Sequence, residues 1–117
     1  MAVLSNFERE LIELMSELDP EREILLQQLV DASVTSRDYT GVGVYVEIHV
    51  PEGLPKIMTS SRYIEQTPKA HFTHPSLPDG GGALLWFDSG RMCTLECYSY
   101  DGDWPNEDSL FIINRDS

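Results

Sequence analysis

Glu96 stands in the run Met92 to Pro105, MCTLECYSYDGDWP, where an apolar strand carrying one glutamate leads into an acidic, tryptophan-bearing turn. Strand ends and loop tips are where a rigid scaffold presents side chains for work. A carboxylate inside an apolar strand is costly to ionise without a partner, and burial raises a carboxyl pKa enough to make an acid or base. Glu96, with Tyr98, Tyr100 and His49, is therefore the candidate centre of a small-ligand pocket or a weak enzyme. The competing reading puts Glu96 in solvent or against Arg37 or Arg62, and it carries more weight because no catalytic signature accompanies the residue.

The turn that follows gathers Asp101, Asp103, Glu107 and Asp108 around Trp104. The glycine and the terminal glutamate that a calcium EF-hand loop needs are replaced here by Asn106 and Ile112, so no metal is expected. As an interaction surface the same turn offers Trp104 as an anchor and carboxylates for Lys or Arg of a partner. The plainer reading folds Trp104 back on the core, and the two weigh about equally. His49, His71, His74, Cys93 and Cys97 have ligand chemistry but lack the spacing of a zinc set. Gly80-Gly81-Gly82 lacks the lysine and the strand-to-helix setting of a phosphate loop, and reads as a loop entering a strand. No cofactor is expected.

Charge narrows the partners further. Twenty acids against eight bases give a net charge of −12, and both halves of the 117-residue chain share the excess. Nucleic-acid binding needs clustered Lys and Arg to displace phosphate counterions, and no two basic residues here are adjacent. Nucleic acid is thus an improbable partner. A negative surface steers a positively charged protein toward itself, although acidity also serves solubility alone. The start, MAVLSNFERE, has no basic region followed by a long apolar run, and no segment approaches the ~18 apolar residues of a membrane span. A cytoplasmic setting without membrane contact is the expectation. Cys93 and Cys97 lie on one strand with α-carbons roughly 13 Å apart, beyond disulfide reach, so both should be free thiols.

The elements that must position these groups follow from period and punctuation. Ser5 and Glu8 match a capping box, and Phe7, Leu11, Leu14, Met15 and Leu18 recur at helical spacing, which predicts a helix from about Asn6 to Leu18. Asp19-Pro20 then offers a cap and first-turn proline for a second helix with Ile24, Leu25, Gln28, Leu29 and Ala32 inward. From Ser33 the period becomes two: a short strand over Ala32 to Arg37, a turn at Thr40-Gly41, and a strand in which Val42, Val44, Val46, Ile48 and Val50 share a face. Prolines punctuate residues 51–78, with short strands expected near Lys56–Thr59 and Tyr63–Glu65. Ser89-Gly90 reads as a two-residue hairpin loop. Unbroken pairing from it sets Phe87 on Met92, Leu84 on Leu95 and Ala83 on Glu96, with Trp86, Leu84, Cys93 and Leu95 on one face. A last strand is expected over Leu110 to Asn114. The sum is a single α+β domain, 1–31 a helical hairpin and 32–117 mainly β, with the helices packed on an antiparallel sheet of about four to six strands.

Thr35-Ser36-Arg37-Asp38-Tyr39-Thr40-Gly41-Val42-Gly43 resembles the "sRe-T-G-x-G" strand of a group of small bacterial proteins with no established activity. Their later half is similar in ending on a glycine-turned hairpin and a Leu-Glu-x-x-x-Tyr-Asp-x-x-Trp-Pro run, matched here by Gly90, Leu95, Glu96, Tyr100, Asp101, Trp104 and Pro105. Residues Pro51 to Pro78 have no counterpart in that pattern. The resemblance implies a bacterial protein and carries over no catalytic residue; by analogy of size and acidity it looks like a toxin-immunity or other inhibitory protein. The expected function is non-enzymatic binding of a basic protein through Asp101, Asp103, Trp104, Glu107 and Asp108. The Glu96 pocket and a homodimer through an apolar patch are the competing expectations.

Overall fold

The computed structural model describes residues 2–17, 19–58, 62–65, 70–106 and 109–115. Helix α1 (Asn6–Ser16) opens with the expected box: Ser5 Oγ accepts the N–H of Glu8 at 3.1 Å, and Glu8 Oε1 accepts the N–H of Ser5 at 2.8 Å. Two donors that a helix start leaves unpaired are thereby satisfied. The helix stops at Ser16, whose buried hydroxyl donates to the Ile12 carbonyl at 2.8 Å; Leu18 lies outside the described residues. Helix α2 (Arg22–Asp31) begins later than Asp19-Pro20 suggests. Asp19 Oδ1 accepts the N–H of Glu21 at 2.9 Å and its carbonyl accepts that of Arg22 at 3.1 Å, so Asp19 shapes a turn ahead of the helix instead of capping it. Leu25, Gln28, Leu29 and Ala32 are buried as the stripe requires.

Among the described residues seven strands follow: β1 (Ser33–Tyr39), β2 (Gly43–His49), β3 (Arg62–Glu65), β4 (Ala70–Thr73), β5 (Gly81–Asp88), β6 (Arg91–Ser99) and β7 (Ile112–Arg115). Five form an antiparallel sheet in the order β1-β2-β6-β5-β3, and β4 pairs with β7 in a small second sheet. The chain is therefore α+β, with the helices on one face of a mostly antiparallel sheet. Val44, Val46, Ile48 and Val50 turn inward as expected, whereas Val42 sits exposed in the turn where Thr40 donates to the Gly43 carbonyl at 2.9 Å. Lys56–Met58 forms no strand; Ile57 is buried and its N–H donates to the Gly90 carbonyl at 3.0 Å, tethering this segment to the hairpin turn. The last strand starts at Ile112, two residues later than Leu110.

The β5–β6 hairpin corrects the unbroken pairing. Ser89 and Gly90 make the turn with φ of 54° and 78°, the left-handed pair that a two-residue loop between twisted strands demands. Phe87 pairs with Met92, but Trp86 then pairs with Thr94, so Cys93 is an extra residue on β6. From there Leu85 faces Leu95, Leu84 faces Glu96 and Ala83 faces Cys97. One bulge thus puts Met92, Leu95 and Cys97 in the core together and turns Glu96 outward beside Leu84, not Ala83.

The inward sheet face, both helices, Phe72 and Trp104 form one hydrophobic cluster, in which each fully buried large aliphatic side chain contributes about 1.5–3 kcal/mol. At its margin Arg37 grips Glu8 with Nε on Oε2 at 2.9 Å and Nη2 on Oε1 at 2.7 Å, joining β1 to the capped start of α1. No helix among the described residues is long and apolar enough to cross a membrane.

Candidate functional site

With the helices on one side, the other face of the five-stranded sheet carries the side chains that the bulge and the period-two strands turn outward. The register orders them in rows across the strands, about 4.8 Å from strand to strand. One row runs Asp38, Tyr45, Glu96, Leu84, and the next runs Ser36, Glu47, Thr94, Trp86, Tyr63. Aromatic rings and carboxylates are therefore intermixed on this face, with Asp38, Tyr45 and Glu96 in direct succession across β1, β2 and β6. Tyr45, Tyr63, Trp86 and Tyr98 keep 39%, 49%, 37% and 36% of their surfaces exposed. Among the described strand residues of this face, the register places one Lys or Arg, Arg91, at the hairpin end opposite Asp88.

Local contacts fix several of these groups. Trp86 donates its indole N–H to Glu96 Oε1 at 3.1 Å and leans on Tyr63 with ring centroids 4.9 Å apart. Glu47 Oε2 accepts the Thr94 hydroxyl at 3.0 Å. The Tyr98 ring lies across Gly82, where an added methyl would strike the phenol, and it meets Tyr100 edge-on at 6.1 Å. The bulged Cys93 is half-buried beside this face. Burial pushes its thiol up from its ordinary value; Asp88 and Glu47 add to the rise, and the hydrogen bond from Thr94 opposes it.

The four residues proposed for a pocket are distributed over an open surface. Glu96 and Tyr98 stand on the sheet face, Tyr100 just past the end of β6, and His49 at the exposed end of β2 opposite Ser33. Among the hollows lined by described residues, one of about 460 Å³ lies between Ser5–Phe7, Glu10 and the segment Ser109, Phe111 and Ile113. Glu96 accepts the Trp86 indole N–H; of the two arginines suggested for it, Arg37 is engaged with Glu8 and the Arg62 side chain is outside the description.

The acidic turn is corrected at its centre. Asp101 and Asp103 are exposed, but Trp104 is only 8% exposed. Its ring packs against Phe72 at 6.1 Å and Phe111 at 5.1 Å, and its backbone N–H donates to the Gly41 carbonyl at 2.8 Å. An indole held in the core cannot serve as an anchor for a partner. Glu107 and Asp108 lie outside the described residues.

Among the described residues no group of three or more His, Cys, Asp or Glu side chains is placed to hold a metal ion. His74 is buried against Phe111 and accepts the Ser76 N–H at Nδ1, 3.0 Å away; Cys93 and Cys97 are free thiols; the His71 side chain is outside the description.

Sequence reasoning did not single out Tyr45, Glu47, Tyr63 and Trp86 as candidate binding groups. The alternation of Val44-Tyr45-Val46-Glu47 already signals an outward Tyr–Glu pair, whereas Trp86 and Glu96 come together only through the bulge. No protein-family model, curated protein or solved structure matches this chain. The likeness of Thr35 to Gly43 and of Leu95 to Pro105 to a bacterial group thus rests on sequence pattern alone.

Proposed function

We propose that this chain is a non-enzymatic protein-binding module of the immunity or inhibitor kind, and that it takes a basic protein partner on the open face of its sheet. The observation that carries the reading is the interleaving of exposed rings with carboxylates there: Tyr45, Tyr63, Trp86 and Tyr98 among Asp38, Glu47 and Glu96. Aromatic side chains give contact area at low entropic cost. Carboxylates beside them attract and orient Lys and Arg. Tyr98 and Tyr100 lead from this face toward exposed Asp101 and Asp103, so the acidic turn extends the surface as a charged rim.

The net charge of −12 supports a basic partner over nucleic acid or a second copy, because a face-to-face homodimer would set carboxylate against carboxylate. Two free thiols fit a reducing cytoplasm. A small-ligand or enzymatic role for Glu96 is less supported, since its carboxylate lies on an open face and already accepts a hydrogen bond.

Affinity capture with three baits tests the reading: the unaltered chain, Glu47→Lys with Glu96→Lys, and Asp101→Lys with Asp103→Lys. The expected result is a basic protein retained by the unaltered chain, lost from the face variant and weakened at most severalfold by the rim variant. Equal retention by the face variant, or capture of acidic proteins only, overturns it.

A further inference from the structure

Three features of the open face bear on which basic side chain it suits. First, the Trp86 N–H holds Glu96 Oε1, which orients the carboxylate and leaves Oε2 with no hydrogen bond among the described residues. Second, Glu96 is flanked by rings: Tyr45 is its register partner on β2, and Trp86, braced by Tyr63, lies toward β5 and β3. Third, the rings stand on a sheet face partly exposed to water with Glu96 half-buried among them, and no described residue closes a cage over them.

The third feature decides between the two cations. An ammonium is compact and strongly hydrated, and its attraction to a ring becomes large only when water is stripped away, which an open surface does not do. A guanidinium is planar and weakly hydrated; it stacks on a ring while its edge donates to a carboxylate in the same plane. An oriented carboxylate with an unfilled oxygen beside exposed rings is the arrangement a guanidinium can use without desolvation.

We infer that this face recognises arginine in preference to lysine, with Glu96 receiving the guanidinium edge and Trp86 and Tyr45 offering the stacking surfaces. The inference rests on the basic-partner reading and narrows it: the partner surface is rich in exposed arginine. Glu47, one row along, has Oε1 with no hydrogen bond among the described residues and supplies a second acceptor.

The test uses the full chain and two synthetic peptides of equal length, charge and spacing, one carrying arginine and the other lysine, titrated by calorimetry at low ionic strength. The arginine peptide is expected to bind roughly tenfold more tightly, the scale of one charge-assisted hydrogen bond gained. Glu96→Gln, which keeps an acceptor for the indole, should remove most of that preference. Trp86→Leu should weaken the arginine peptide by about threefold, as for a cation–π contact at an exposed site. Thermal unfolding of each variant confirms that the fold is retained.

Equal affinity for the two peptides overturns the arginine seat and leaves the basic-partner reading standing, as does an arginine preference that Glu96→Gln does not alter. Binding of neither peptide overturns both. Retention on an immobilised neutral oligosaccharide, with neither peptide bound, would reassign the rings to sugar stacking and overturn both as well.

Discussion

Gln28 Oε1 accepts the backbone N–H of Met92 at 3.0 Å, so a fully buried amide on α2 is bonded directly into the β5–β6 hairpin. The same side chain donates through Nε2 to the carbonyls of Pro55 at 2.8 Å and Gly90 at 3.0 Å. Helix, hairpin turn and the irregular 50s segment thus meet at one residue. This bond also serves the open face indirectly: Met92 adjoins the bulge, and the bulge turns Glu96 outward.

Replacing Gln28 by leucine keeps the volume close but strands the Met92 N–H in the core. The Gly90 carbonyl keeps the Ile57 N–H as a partner and Pro55 is exposed, so the penalty falls on Met92. A loss of about 1–3 kcal/mol is expected for the buried Met92 N–H left unsatisfied, since water can reach Pro55. Urea unfolding of Gln28→Leu checks it, and an unchanged midpoint would show that the clamp carries no stability.

Gly81 and Gly82 are adjacent on β5 yet should respond differently to a methyl group. At Gly81 an added Cβ would meet the backbone carbonyl of Tyr98, which cannot move without parting two central strands; at Gly82 it would meet the Tyr98 phenol, the far end of a side chain that can rotate. Gly81→Ala should cost about 2 kcal/mol or more, as overpacking against a rigid neighbour does. Gly82→Ala should cost less than half as much and instead displace Tyr98, visible as a shift of its ring resonances in NMR spectra. Equal losses for the two would contradict this account.

The sequence carried the helices and the strand count more fully than the site, and the reason is range. The Ser5–Glu8 box and the stripe through Leu25 and Leu29 are local patterns, so they were legible. Met92, Cys93, Leu95 and Cys97 are apolar at both parities, so the run is compatible with two registers. The bulge at Cys93 selects the one in which Met92 and Leu95, three apart, face the same core. The open face draws Tyr45, Tyr63, Trp86 and Glu96 from four strands, and only the register joins them.

Cys93 supplies a prediction in pH. Burial, with Asp88 and Glu47, raises its thiol above the ordinary value of 9.0, so the folded chain holds this proton where the unfolded chain releases it. The folded state then binds more protons than the unfolded state above that value, and the group's contribution to stability falls as pH rises through the raised pKa. It is fully present below 9.0. Alkylation of the native protein near neutrality should be slower than for an unstructured cysteine peptide, because the thiolate is the nucleophile. Glu47→Gln removes one cause of the rise and should speed the reaction; faster alkylation of the unaltered protein than of the peptide would refute the assignment.

The two tryptophans give the sharpest separation between core and surface. Trp104 packs its ring into the cluster of Phe72 and Phe111 while its backbone N–H donates to the Gly41 carbonyl, whereas Trp86 stands on the sheet face with its indole N–H on Glu96. Removing a buried indole leaves a cavity, so Trp104→Ala should destabilise the chain by about 3–5 kcal/mol. Trp86→Leu loses mainly half-exposed contacts and should cost about 1 kcal/mol or less. Acrylamide quenching separates the same pair: with Trp104→Phe the remaining emission should quench readily, and with Trp86→Phe it should be blue-shifted and protected. Readily quenched emission from Trp86→Phe would place Trp104 in solvent and return the acidic turn to the role of a docking anchor.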